Sequence, residues 1–122
     1  MAGHPLLRSR VTSLSKSDRL RICTIVRGEI LFGIEKRLAG ARRDQLEQAA
    51  QLAFQAFPCL PVPAPAADIY ANLKMTCQRT GIAINENDLW IAATALAGGA
   101  TLVTRDKDFS RLPSLVLQDW TV

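Results

Sequence analysis

Histidine and cysteine are scarce in this chain of 122 residues. The single histidine is His4, close to the N-terminus, which argues against a Ser-His-Asp or Cys-His mechanism. The three cysteines are odd in number and none belongs to a Cys-x-x-Cys pair, so the sequence predicts neither a disulfide framework nor a zinc site. We expect Cys23, Cys59 and Cys77 to be small core residues.

Phosphate-binding glycine motifs and long apolar runs are also missing. The chain has no Gly-x-x-x-x-Gly-Lys and no Gly-x-Gly-x-x-Gly segment. No apolar run approaches the roughly 20 residues that a bilayer requires, and the first ten residues lack the apolar core of a signal peptide. With 48% hydrophobic and 21% charged residues, the composition indicates one ordinary globular domain over residues 1–122, which we expect in the cytoplasm.

The net charge of +4 is distributed unevenly. Residues 1–43 contain ten basic and three acidic residues, or +7, whereas residues 44–122 contain five basic and eight acidic residues, or −3. A basic first third suits contact with a polyanion, although a solvated arginine-rich face explains it equally well. The first third lacks the interleaved aromatic residues of a base-stacking protein, so structured RNA such as tRNA is the expected nucleic acid.

Apolar periodicity predicts an alternation of helices and strands. Strands separated by helices of this length predict an α/β domain with a parallel sheet covered on both faces. Proline at position 65 and glycine at position 81 mark the start and end of one helix. The predicted helices are Leu6–Leu14, Arg27–Leu38, Leu46–Phe57, Pro65–Thr80 and Leu89–Leu96, and the predicted strands are Leu20–Val26, Cys59–Val62, Ala100–Thr104 and Ser114–Gln118.

The carboxylates are the remaining candidates for catalytic or metal-binding groups. Asp88 falls in the first turn of an apolar helix, with Asn87 as the expected N-cap, while Asp106 and Asp108 follow a short β-branched strand. Oxygen ligands that face one point favour a hard divalent cation such as Mg²⁺. Each acid also has a structural explanation: Asp88 and Glu29 suit a helix start, and the other two suit a turn.

Several segments resemble the PIN-domain ribonucleases of the VapC toxin type. The similarity is carried by Asn-Asp-Leu-Trp-Ile-Ala-Ala from Asn87, by Ala-Thr-Leu-Val-Thr-Arg-Asp-Lys-Asp-Phe from Ala100, and by Glu-Ile-Leu-Phe-Gly from Glu29. Leu115–Trp120 resembles the closing strand and terminal Asp-Trp of that family. The matches cover nearly the whole chain in the right order. The resemblance implies a PIN-like, Rossmann-like three-layer α/β fold with a parallel sheet flanked by helices.

The resemblance also implies a metal-dependent endoribonuclease site. Glu29, Asp88 and Asp106 match the family's acidic positions and are expected to hold Mg²⁺ or Mn²⁺, with Asp108 as a further candidate ligand. Thr104 resembles the family's hydroxyl residue near the metal. By the same resemblance, the expected partners are an RNA substrate, a cognate antitoxin protein and a second copy of the chain in a homodimer, with no membrane.

One family feature has no counterpart here. PIN domains open with an apolar strand that ends in Asp-Thr/Ser-Asn and supplies the first metal-binding acid, together with a central strand of the sheet. We expect about 15 to 25 residues of this kind to be missing, from ordinary strand and loop lengths. Asp18 precedes a predicted strand, so it is not expected to substitute. A longer natural protein, a shortened inactive one, and another segment in the empty position all remain open.

Two other functions stay compatible with the sequence. A catalytically inactive PIN domain would act as a module that binds an antitoxin or RNA, and the missing first acid favours this alternative. The second alternative is a nuclease whose substrate is single-stranded or flap DNA instead of RNA.

Overall fold

Strands and helices alternate along the chain in the computed structural model, which describes residues 11–14, 19–103, 107–113, 115 and 117–118. A short 3-10 helix, Lys107–Arg111, follows the fourth strand. The strands are β1 Val11–Leu14, β2 Arg19–Cys23, β3 Cys59–Leu60, β4 Ala100–Val103 and β5 Leu117–Gln118, and the α-helices are α1 Thr24–Glu35, α2 Ala41–Ala56, α3 Pro65–Thr80 and α4 Glu86–Ala97.

The five strands form one sheet in the order β3-β2-β1-β4-β5. β3 pairs parallel with β2, and β5 pairs parallel with β4. β1 is antiparallel to both β2 and β4, so all the other strands point the same way. The connections β2-α1-α2-β3 and β3-α3-α4-β4 run in opposite directions along the sheet, which is the condition for helices on both faces. The predicted α/β fold class, with its three layers, is confirmed.

β1 occupies the central position that the sequence left empty. Residues 11–14 belong to this strand, so the predicted helix over Leu6–Leu14 is wrong there, and residues 6–10 lie outside the described part. A short apolar run does not distinguish helix from strand, which explains the error. Thr12 pairs with both Arg21 and Leu102. Because only four residues separate β1 from β2, the two strands can pair only antiparallel, unlike the parallel sheet that was predicted.

Helix α1 begins directly after β2, with no loop between them. The predicted strand over Leu20–Val26 is therefore right up to Cys23 and wrong for the last three residues. Val26, Ile30 and Ile34 are buried at helical spacing, so burial of this face outweighs the strand preference of Thr24–Val26. Cys23 and Cys77 are buried as predicted, whereas Cys59 is exposed.

The residues at which α3 begins and ends are those that the sequence predicted. Pro65 opens the helix, and Gly81 caps it in the left-handed conformation with φ +73°. The next helix, α4, is buried on most sides, as its apolar sequence predicts. Within the described residues, no helix has the length and apolar character needed to cross a membrane.

Candidate active site

Asp88 lies at the third position of α4 with only 2% of its surface exposed. The N-cap is Asn85, not Asn87 as the sequence predicted. Asn85 Oδ1 accepts a hydrogen bond from the Asp88 backbone N–H at 2.9 Å, which satisfies a helix-start donor and fixes the backbone of the acid. The positive end of the helix dipole also favours a negative charge here.

Glu29 lies in the second turn of α1 and is partly exposed. Asn87, the neighbour of Asp88 in sequence, donates from Nδ2 to Glu29 Oε2 at 3.3 Å. This contact spans 58 residues of sequence and joins the first turn of α4 to α1. The fold therefore brings Glu29 of α1 into contact with the residue that precedes Asp88 in α4.

Asp108 lies in the 3-10 helix after β4, where its Oδ1 accepts a hydrogen bond from Arg111 Nη2 at 2.9 Å. The same guanidinium nitrogen donates to the carbonyl of Ala83 at 3.1 Å. Arg111 thus ties the segment after β4 to the loop that leads into α4. Asp106, Thr104 and Asp18 lie outside the described residues, so their predicted roles stay predictions.

The described acids fit a hard cation in chemistry and in number. Mg²⁺ typically takes one or two carboxylates directly and keeps several waters. Glu29 and Asp88 supply two such groups, one of them buried. Among the described residues, no three His, Cys, Asp or Glu side chains come close enough to form a complete metal cluster.

A polar and aromatic cluster beside the site was not predicted from the sequence. Lys74 Nζ donates to Glu86 Oε1 at 2.5 Å, and the Tyr70 hydroxyl also donates to Glu86. The hydrogen bond from Lys74, followed by that from Tyr70, lowers the pKa of the Glu86 carboxyl, and the bond to Glu86 raises the pKa of Lys74. The Tyr70 and Trp90 rings stack with centroids 4.0 Å apart and planes 5° from parallel. The spacing of Tyr70 and Lys74 on one helix face was the available signal.

This cluster ties the first turn of α4 to α3. Glu86 immediately precedes Asn87 and Asp88, so a fixed Glu86 restricts the backbone that carries both. The Glu86 side chain itself is exposed, and it contacts Lys74 and Tyr70 of α3.

Sequence comparison identifies relatives over most of the chain. Residues 2–115 match the PIN domain family. Ribonuclease VapC2 of Rickettsia felis is 31% identical over 108 residues, which cover 88% of this chain and 78% of the relative. Ribonuclease VapC1 of Haemophilus influenzae strain R2866 is 31% identical over 117 residues, covering 95% and 85% of the two chains.

Solved structures show the same relationship. A chain of VapBC2 from Rickettsia felis, bound to a DNA fragment from its promoter, superimposes with a TM-score of 0.77 at 30% identity and covers 88% of this chain and 79% of that one. A chain of VapBC-1 from nontypeable Haemophilus influenzae gives 0.78 at 31% identity, covering 87% and 78%. The fold, the order of the motifs and these similarities together show that the chain belongs to the PIN-domain family, as a member of its VapC group.

Proposed function

We propose that this protein is a metal-dependent endoribonuclease, the toxin of a VapBC-type toxin-antitoxin pair. The observation that carries the proposal is the meeting of Glu29 with the α4 N-terminus, where Asp88 is 2% exposed. Relatives that are 31% identical over most of their length are named ribonucleases. The chemistry of two carboxylates beside a basic region agrees with hydrolysis of a phosphodiester.

In this proposal, Glu29 and Asp88 hold Mg²⁺ or Mn²⁺, together with Asp106 as the third acid. A bound divalent ion supplies an activated water and stabilises charge on a phosphoryl oxygen. The chain's own contribution is to hold the carboxylates in place. Asn85 fixes the backbone of Asp88, and Asn87 orients the carboxylate of Glu29.

Asp108 is a weaker ligand candidate than the other three. Its carboxylate already accepts a hydrogen bond from Arg111, which also holds the loop before α4. We therefore assign Asp108 a positioning role. Thr104 is retained as a proposed hydroxyl contributor near the metal.

Cleavage of labelled total tRNA in the presence of Mg²⁺ or Mn²⁺ tests the nuclease. Asp88→Asn and chelation by EDTA should each abolish cleavage. Asp44→Asn is a matched control, because Asp44 also lies in the first turn of a helix but is exposed on α2. Intact tRNA with a folded wild-type protein would favour the inactive binding module. Matched DNA oligonucleotides test the alternative substrate.

An antitoxin is the proposed protein partner, because the similar solved structures are VapBC complexes. Co-expression with the product of a neighbouring gene, followed by co-purification, tests this pairing. We also propose a homodimer, which sedimentation of the isolated chain tests. We also propose a cytoplasmic location, which cell fractionation tests.

A further inference from the structure

One face of α1 carries an acid, an aromatic ring and a base in succession. Glu29, Phe32 and Lys36 are spaced i, i+3 and i+7, which places them on the same side of a helix. We call these three residues the α1 stripe. Lys36 is the C-cap of α1, so the stripe ends where the helix ends.

Phe32, in the middle of the α1 stripe, is largely exposed to solvent. Its exposed fraction is 66%, whereas Val26, Ile30 and Ile34 on the opposite side of α1 are buried. The ammonium of Lys36 lies 5.3 Å from the centroid of the Phe32 ring, within cation–π range. A flat apolar ring and a cation are therefore presented together to solvent.

The far end of the α1 stripe is basic. Residues 35–44 contain four basic and two acidic residues. Arg43 is engaged, since it donates to Glu35 and to the Arg37 carbonyl. Lys36, Arg37 and Arg42 are exposed, and no described carboxylate pairs with them. The stripe thus runs from the proposed metal site to a group of cations.

We propose that the α1 stripe binds a single-stranded segment of the RNA substrate, with one nucleobase stacked on Phe32 and a phosphate near Lys36 and Arg37. This inference rests on the proposed nuclease function and names the form of its substrate. Aromatic rings beside cations are the usual means of holding unpaired bases. A base within a duplex is covered on both faces by its neighbours and cannot stack on a protein ring, so the Phe32 ring selects unpaired nucleotides.

The length of the stripe agrees with this occupant. Seven residues of helix rise by about 10 Å, which spans about three nucleotides at the roughly 3.4 Å rise of a stacked strand. A phosphate held at the Glu29 end therefore leaves the following nucleotides opposite Phe32 and Lys36. This corrects the sequence argument that the basic third lacks an interleaved aromatic residue. Phe32 is that residue, and the helix geometry is what places it between acid and base.

Binding is tested in EDTA, where no cleavage occurs, with full-length protein and a short single-stranded RNA that carries 2-aminopurine. Phe32→Ala should weaken binding by about 5- to 160-fold, the range expected for loss of one base stack. It should also abolish the quenching of 2-aminopurine that wild-type protein causes. Phe32→Trp should retain both effects, which a merely structural role for Phe32 does not predict.

Two comparisons make the test specific. Leu52→Ala is the matched control, because Leu52 is also 66% exposed but lies on α2 beside Asp44 and Glu47. It should leave RNA affinity unchanged. A duplex of the same sequence should bind wild-type protein and Phe32→Ala equally. Lys36→Ala should weaken the binding of both RNAs. It should also reduce the slope of log affinity against log salt concentration by the amount expected for about one phosphate contact.

Unchanged affinity and quenching in Phe32→Ala would overturn the proposal, and so would equal losses on single-stranded and duplex RNA. If Phe32→Ala instead converts a dimer to a monomer without any effect on RNA, the stripe is an interface between copies and the proposal is wrong. A protein that binds RNA but is not a nuclease would give a different set of results. In that case Phe32-dependent binding persists in EDTA, while Mg²⁺ or Mn²⁺ produces no cleavage.

Discussion

Asn87 Nδ2 donates a hydrogen bond to Glu29 Oε2 at 3.3 Å, so the residue next to Asp88 is a partner of Glu29, another proposed ligand. Asn87→Ala removes this restraint on the Glu29 carboxylate. Loss of an outer hydrogen bond to a metal ligand typically costs 10- to 100-fold in metal affinity or activity, and we expect a loss of about that size. Mn²⁺ titration monitored by calorimetry measures it. Gln51→Ala, at an exposed position of α2, is the control, and equal metal affinity in all three proteins would contradict the assigned role.

Asn85 should contribute to stability as well as to the position of Asp88. Asn85→Ala removes the side-chain acceptor at the start of α4 and should lower the free energy of unfolding by about 1 kcal/mol. Asn85→Ser should recover most of this loss. Urea unfolding measures the effect. Asn72→Ala, at an exposed position within α3, should be neutral or slightly stabilising.

Acid should weaken the attachment of α4 to α3 through Glu86. Its pKa is lowered in the folded protein, first by Lys74 and then by Tyr70, so its contribution is present at about pH 7 and is lost as the pH falls through the lowered value. The raised pKa of Lys74 acts oppositely, since its contribution is lost as the pH rises through that raised pKa.

Urea midpoints followed from about pH 7 to pH 3 measure the Glu86 contribution. Wild-type protein should lose more stability over this range than Glu86→Gln, and high salt should reduce the difference because the pair is exposed. Glu47→Gln is the control on α2. Parallel pH profiles for wild-type and Glu86→Gln proteins would show that the pair contributes nothing.

Two glycines should respond oppositely to alanine. Gly28 lies within α1, and a Cβ there meets no atom within 4 Å, so Gly28→Ala should stabilise the protein by about 0.5–1 kcal/mol. Gly81 has φ +73°, which an alanine adopts at a cost of about 1–2 kcal/mol. The midpoint temperature of thermal unfolding should therefore rise for Gly28→Ala and fall for Gly81→Ala. A fall for both would show that Gly28 is needed for another reason.

The role of Asp108 can be separated from metal binding by comparison with Arg111. If the carboxylate acts by holding Arg111, Asp108→Asn and Arg111→Ala should reduce RNA cleavage to similar extents and leave metal affinity unchanged. If Asp108 is a ligand, only Asp108→Asn should weaken Mn²⁺ binding. Calorimetric titration of both variants decides between the roles.

The local elements were predicted well where glycine, proline and apolar spacing agree. Pro65 and Gly81 bound α3 as predicted. β4 agrees with its prediction from Ala100 to Val103, and Thr104 lies outside the described part. The family motifs singled out Glu29 and Asp88, and in the structure Glu29 contacts Asn87, the residue next to Asp88. The sequence could not show that Asn85 rather than Asn87 caps α4, because both are suitable residue types.

The errors concern interactions between distant residues. Thr24–Val26 have strand-forming side chains but belong to α1, where packing of Val26 decides the outcome. The strand at Val11–Leu14 depends on pairing with two partners, one of them almost 90 residues away. Local periodicity contains no information about such pairing.

The position of β1 has a further consequence for the distance between the acids. The strand that precedes Glu29 and the strand that precedes Asp106 and Asp108 do not pair with each other, and β1 alone lies between them. Its hydrogen bonds thus set how far β2 and β4 are offset along their length. A slip of two residues on one side of β1 would shift β2 relative to β4 by about 7 Å, and α1, which carries Glu29, would move with β2. The four-residue strand therefore sets the offset between the two strands that lead to the proposed ligands, although it supplies none of those ligands.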